Sequence, residues 1–326
     1  MSRQVVVTGS TGHLGANLVR TLLAGGDRVR AVVHGDDAAL RGLDVEIVRG
    51  DVRDPASLRP AFRGAELVFH LAAHISITGS RGGLVEAVNV AGAANAAEAA
   101  LAEGVSRFLH CSSVHAFDIH RPGPLDETQP RPSGPRVCAY DASKWAGERE
   151  VQARVARGLD AVILNPSGIL GPHDHGPSRI GRLLLDLRHR RLPALVPGGF
   201  AWIDARDLAD AFVRAARLGE RGHNYLVGGP WLSMREFADR AGQVSGVRPP
   251  RLTVPMPIAR LSTPLVRWMA RGDREPLFTD ESLDTVHASA RMVDEKARRA
   301  FSLAPPRPVE ESFRDMYAWY AQAGLR

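Results

Sequence analysis

The stretch VVVTGSTGHLG, residues 5–15, decides how the rest of the chain is read. β-Branched residues run into Thr8-Gly9, and His13-Leu14-Gly15 opens a run with apolar residues at helical spacing. The segment therefore reads as strand, tight turn, helix. Gly9 permits the turn, Gly12 lets the backbone approach a diphosphate, and Gly15 lets the helix lie close to the strand. The loop Gly9, Thr11, Gly12, His13, Leu14 and Gly15 thus offers helix N-terminal N–H groups to an anion. A glycine trio alone is weak, and its place between a strand and a helix is what gives it meaning.

The segments that follow repeat this alternation. QVVVTG (4–9), DRVRAVVH (27–34), VEIVRG (45–50), ELVFHLAA (66–73), SRFLHCSS (106–113) and DAVILNPS (160–167) read as strands. Helices are expected at 13–26, 55–62, 82–103 and 140–157. The Ala-rich stretch 87–104 reads as a tightly packed helix. Strand–helix alternation implies an α/β fold, a doubly wound parallel sheet with helices on both faces. After Pro166 the pattern loosens into Pro- and Gly-punctuated loops such as GPHDHGP (171–177) and RPPRLTVPMP (248–257). AWIDARDLADAFVRAARLG (201–219) and NYLVGG (224–229) look like returns to the sheet. The expected division is a dinucleotide-binding domain at 1–166 plus 200–229, and a smaller, mostly helical substrate lobe at 167–199 plus 230–326.

One decapeptide, CAYDASKWAG (138–147), carries the chemistry. Of 42 Lys and Arg side chains, only Lys144 and Lys296 are lysines. Tyr140 and Lys144 are four apart and share one helix face. A tyrosine is a poor acid or base near neutral pH, and an adjacent ammonium together with a positively charged nicotinamide favours the phenolate, so the two are expected to lower the Tyr140 pKa. Lysine suits this as a compact charge with three donors, where arginine is a planar fork. Ser113 follows a strand whose carboxyl end should face the cofactor, and its hydroxyl can hold a substrate oxygen near Tyr140.

In this order the motifs resemble the extended short-chain dehydrogenase/reductase family. They are TGSTGHLG, GDVRDP (50–55), HLAA (70–73), NVAGA (89–93), SS (112–113), YDASK (140–144), NPSGILGP (165–172) and DARDLADA (204–211). The resemblance covers almost the whole chain. It looks nearest to dihydroflavonol-reductase-like proteins and to bacterial sugar-epimerase-like proteins of hopanoid gene clusters. It implies hydride transfer with a nicotinamide cofactor, with Ser113, Tyr140 and Lys144 catalytic and Asn89 helping a proton relay. It further implies that Asp51 and Val52 meet the adenine. Leu71, Ala72 and Ala73 lie along the cofactor, and Pro166 and Gly168 pass beside the nicotinamide. Val33 stands where NAD-preferring relatives carry Asp, and His34 where NADP-preferring relatives often carry Arg, so NADP(H) is favoured over NAD(H). Asp36 and Asp37 either point away or oppose a phosphate. His74, His115, Phe117 and Arg179 are expected around the substrate. The family often forms homodimers through helices here at 82–103 and 140–157.

Composition bounds the rest. The 326 residues are 44% hydrophobic and 24% charged, enough for a sizeable core, and the net charge is +6. The arginines are scattered without aromatic interleaving, which argues against nucleic acid. Cys111 and Cys138 have neither metal nor disulfide spacing and read as small apolar fillers in a cytoplasmic protein. No metal is expected, and no apolar run is long enough to span a bilayer. The reading favours a reductase or dehydrogenase acting on a carbonyl or secondary alcohol. The alternatives are a nucleotide-sugar epimerase or dehydratase and, on the same fold, a cofactor sensor without turnover.

Overall fold

Val5, Val6 and Val7 are all fully buried, on opposite sides of one strand. Val5 and Val7 pack with Leu14, Leu18, Phe69 and Phe212, whereas Val6 packs with Val68, Ala96, Ala97 and Phe108. Only a sheet covered on both faces needs such an uninterrupted apolar run.

The computed structural model describes residues 2–134, 137–269 and 278–325. Its first strands are β1 (Gln4–Thr8), β2 (Arg28–Val33), β3 (Val45–Arg49), β4 (Leu67–His70), β5 (Arg107–Cys111) and β6 (Pro124–Leu125). β7 (Ala161–Pro166), β8 (Gly168–Leu170), β9 (Gly199–Asp204), β10 (Asn224–Val227), β11 (Trp231–Ser233) and β12 (Arg291–Met292) follow. The helices are α1 (His13–Ala24), α2 (Pro55–Phe62), α3 (Leu84–Glu86), α4 (Gly92–Ala102), α5 (Ala139–Ala156) and α6 (Arg179–Arg188). After them come α7 (Ala205–Leu218), α8 (Met234–Ser245), α9 (Met256–Met269), α10 (Asp280–Ala288), α11 (Glu295–Phe301) and α12 (Val309–Gln322).

Seven parallel strands form the main sheet in the order β10-β7-β5-β4-β1-β2-β3. The chain winds outward from β1 to β3, then crosses to β4 and winds the other way. The crevice between the carboxyl ends of β1 and β4 is therefore the switch point, where such sheets bind ligands. Helices α1, α7 and α11 cover one face, and α2, α4 and α5 the other. The helix expected at 82–103 contains a π-helical turn, Ala87–Ala91, between α3 and α4. Five alanines of α4 are buried, which brings it close to α2 and α5.

The later half differs from the sequence reading at two points. Of the two segments expected to return to the sheet, α7 and β10 do so, but β9 does not. It joins a separate three-stranded sheet, β11-β9-β8, because Trp202 and Phe200 cover Gly168 where a side chain would collide. The closing segment is also split. α11 packs Ala297 and Phe301 into the main core, whereas α12 packs Phe313 and Tyr320 into the lobe around Trp202 and Phe237. The junction is tied at Asp204, which caps α7, pairs with Arg206 and accepts a 2.6 Å hydrogen bond from Ser312 of α12.

Two glycines of the first loop are sterically required. Gly9 has φ +69°, and a Cβ there would lie 2.6 Å from the Ala72 nitrogen. A Cβ on Gly15 would lie 2.1 Å from the Gly9 carbonyl oxygen. Gly15→Ala must therefore push α1 off the loop. It is expected to destabilise the protein by about 1–3 kcal/mol, read as a lower urea midpoint. An unchanged midpoint would show that the contact yields freely.

Candidate active site

The helix α5 presents Tyr140, Lys144 and Glu148 at four-residue spacing, so all three face the ends of β5 and β7. Cys138 caps it, its sulfur accepting the Asp141 N–H, a role beyond the expected apolar filling. Lys144 is 4% exposed and donates 2.8 Å from Nζ to the carbonyl of Cys111, the last residue of β5. Burial lowers its pKa.

The Ser113 side chain lies near enough to the Tyr140 phenol to pull its pKa down. The protein groups alone move its pKa up, and the expected lowering needs the nicotinamide charge as well. Burial pushes the phenol up and outweighs the Ser113 contact that pulls it down. Its resting form is the protonated one. Ser113 also accepts the His115 N–H at 3.2 Å, which fixes the hydroxyl at the turn after β5. Asn89, 4% exposed, spends its amide on three partners. It accepts from the His74 N–H at 2.7 Å, and it donates to the His74 carbonyl and to Ser143 Oγ. The residue thus clamps the loop after β4 to α5.

At the other end of the crevice, α1 begins at His13 with neither a side-chain cap nor an acidic residue in its first turn. Its first N–H groups and positive end lie beside Gly9, Thr11 and Gly12 without a capping side chain or a carboxylate of that turn. Leu71 and Ala72 close over Gly9, with Ala73 exposed beyond them. Leu14 is buried in the core, and the His13 ring donates from Nε2 to the Gly171 carbonyl at 2.9 Å. Asn17 donates to the Pro172 carbonyl at 2.8 Å. These residues fit a dinucleotide diphosphate.

Beyond the end of β2, His34, Asp51 and Arg53 form one cluster. Asp51 is held by the Arg53 side chain and backbone, and His34 Nε2 lies 3.2 Å from its carboxylate. The Arg53 hydrogen bond drives the Asp51 pKa down against a small opposing effect of burial. Val33 is buried in the core. Asp37 pairs with Arg49 at 2.7 Å, and Asp36 accepts the Ala38 N–H, so both are engaged within their own loop. Val52 packs where a Gly92 side chain would sit, and its carbonyl accepts from Asn95. Pro166 ends β7, buried, and Gly168 opens β8 beneath Trp202.

The residues expected around the substrate scatter. His115 stands edge-on to Tyr140, centroids 5.5 Å apart, and its Nδ1 lies 2.8 Å from Asp141. Burial opposes the charge on Asp141, but the His115 contact holds its pKa below the ordinary value. A cavity of about 190 Å³ opens beside Asp141, walled partly by His120, Pro132 and Val137. Phe117 borders it but is 1% exposed and packs into a core cluster. His74 is held by its backbone, and Arg179 starts α6 after the Ser178 cap.

Sequence reasoning missed a buried network behind the site. Glu148 is fully buried and pairs with Arg131 at 3.0 Å, and Arg131 lies 4.1 Å over Phe117 and 4.4 Å over Trp145. Asn165 donates to Glu148 and to the Ser113 carbonyl. The carboxylate thus orders the turn that carries Ser113. Its position four after Lys144 was the available signal. Among the described residues no group of three His, Cys, Asp or Glu is placed to hold a metal ion.

The model of the family described as "NAD dependent epimerase/dehydratase family" matches residues 5–228. A Methylococcus capsulatus protein named sterol demethylase protein B is 38% identical over 98% of this chain and 99% of its own. A Synechocystis sp. protein with dihydroflavonol 4-reductase in its name is 32% identical over 98% of this chain and 94% of its own. The crystal structure of gox2253 superposes with a TM-score of 0.86 and is 32% identical, covering 99% of each chain.

Burial raises the Glu148 pKa. A carboxyl with a raised folded pKa binds protons more readily folded than unfolded, so its contribution to stability falls as pH rises. Arg131→Ala strands that carboxylate and is expected to cost about 3–5 kcal/mol at pH above neutrality. Denaturant titrations should find the deficit smaller in mild acid, where Glu148 takes up a proton. A deficit independent of pH would mean that Arg131 acts through packing on Phe117 and Trp145 alone.

Proposed function

The chain belongs to the NAD dependent epimerase/dehydratase family, and from that premise we propose that it is an NADP(H)-dependent reductase of a ketone or aldehyde. The observation that carries this reading is the gathering of Ser113, Tyr140 and Lys144 at the end of β5, with Lys144 anchored to the Cys111 carbonyl, Ser113 fixed by the His115 N–H and the His115 ring edge-on to Tyr140. The bound reduced cofactor supplies the hydride that reduces the carbonyl carbon and is itself oxidised. Ser113 holds the carbonyl oxygen. Tyr140 donates its proton to that oxygen as the C–O double bond becomes the C–O–H of the alcohol. Lys144 lies beneath with donors to share with the cofactor ribose, and its charge steadies the phenolate left behind. Solvent restores the proton. A protonated tyrosine suits the reducing direction, and the relative with dihydroflavonol 4-reductase in its name supports a net reductase.

Tyr140→Phe is expected to lower carbonyl reduction by roughly 10²–10⁴-fold with cofactor affinity unchanged. The measurement is the loss of reduced-nicotinamide absorbance across a panel of ketones and aldehydes. Full activity in this variant sinks the mechanism. Cofactor binding without turnover of any substrate favours a sensor. Turnover of nucleotide sugars without net cofactor oxidation favours an epimerase.

The cofactor preference rests on the cluster beyond β2. Val33 offers no carboxylate to the ribose, Asp51 and Asp37 are already paired with arginines, and His34 and Arg53 stand exposed beside one another. We assign them to a ribose 2′-phosphate, with Asp51 and Val52 at the adenine. Fluorescence titration should show tighter binding of NADPH than NADH, and Arg53→Ala should weaken NADPH roughly tenfold while changing NADH little. Equal losses for both would remove Arg53 from phosphate recognition. A homodimer through α4 and α5 remains part of this reading.

A further inference from the structure

The outer face of α9 is the wrong kind of surface for water. The helix buries Met256, Ala259 and Thr263 against the lobe, at three- and four-residue spacing. Its opposite side should then be polar. Instead Ile258 is 57% exposed and Leu261 81% exposed, one turn apart, and Leu252 on the preceding segment is 61% exposed. Pro255, Pro257 and Pro264 are exposed beside them. These make up three of the six large hydrophobic residues most exposed among the described residues.

The segment is held in place. Leu195 donates to the Leu252 carbonyl at 2.9 Å and accepts from Val254 at 2.8 Å, while Arg235 donates to the carbonyls of Pro250 and Arg251. Leu252 is thus presented by anchored backbone.

Along the sequence that carries the patch, residues 248–264 contain three arginines and neither aspartate nor glutamate. Arg248 and Arg251 are exposed, and no ion pair engages them among the described residues. Arg260 is paired with Asp284 of α10, while Asp280 faces Thr263 on the packed side of α9. With 14 residues, α9 is too short to cross a bilayer. Exposed apolar side chains, with Arg248 and Arg251 in the segment that carries Leu252, match a surface that is anionic at its face and apolar just beneath.

We propose that α9 and the segment before it form a membrane-interface site, in which Leu252, Ile258 and Leu261 enter the acyl boundary of an anionic bilayer and Arg248 and Arg251 meet its phosphates. The site is independent of the reaction assigned above.

Sedimentation with vesicles tests it. The full chain should pellet with vesicles of phosphatidylcholine mixed with phosphatidylglycerol, and far less with phosphatidylcholine alone. Ile258→Ser combined with Leu261→Ser should weaken that binding roughly tenfold or more, and Arg251→Glu should weaken it and flatten its salt dependence. Cofactor titration of each variant, and its thermal unfolding, establish that it is folded. The proposal is overturned if the wild-type chain stays in the supernatant with anionic vesicles. It is equally overturned if the folded double serine variant binds as the wild type does. A dimer in solution that dissociates on the double substitution also overturns it, since a second copy would then cover this face.

Discussion

The site depends on where one ammonium group is held. Lys144 is buried, yet it is not paired with a carboxylate. Its ammonium donates to the carbonyl that ends β5. A cation in such surroundings takes its stabilisation from that carbonyl and, at longer range, from Glu148, and it stays near the sheet only if helix and strand end keep their separation. Everything else serves that separation. Gly147, three residues on, is pressed against the Asn89 carbonyl so closely that a side chain would not fit. The next residue, Glu148, is bonded by Asn165 and so locks the same helix to β7.

This arrangement explains why Tyr140 behaves differently from a tyrosine beside a lysine in water. Burial disfavours both charged forms, raising the phenol and lowering the amine. The two groups rest closer to neutrality than their types suggest. A charge arriving with a ligand changes that balance more in a dry site than at the surface. The state of the phenol thus depends on burial as much as on the Tyr–Lys spacing.

The sheet strands, α1, α2 and α5 were legible because each depends on local spacing: β-branched runs, glycine turns, apolar residues at 3.6 periodicity. The Tyr140–Lys144 pair was legible for the same reason. What stayed hidden depends on contacts between distant segments. Arg131 reaches Glu148 across 17 positions of sequence, and nothing near either residue announces the pairing. Arg53 was visible within GDVRDP but joins His34 only because β2 and β3 run side by side. β9 has the composition of a main-sheet strand, and only its packing under Trp231 and beside β8 sends it elsewhere. Asn89 was found as a residue, while its three bonds came from the fold.

The link between the glycine loop and the first loop of the lobe has a consequence for how such a protein can diversify. His13 and Asn17 both reach across to main-chain oxygens, at Gly171 and Pro172. A latch that grips backbone is blind to the side chains it holds. The neighbouring loop can exchange residues without loosening its attachment to the glycine loop. Constancy of the attachment and change in the side chains around it are thereby assigned to different atoms of the same chain.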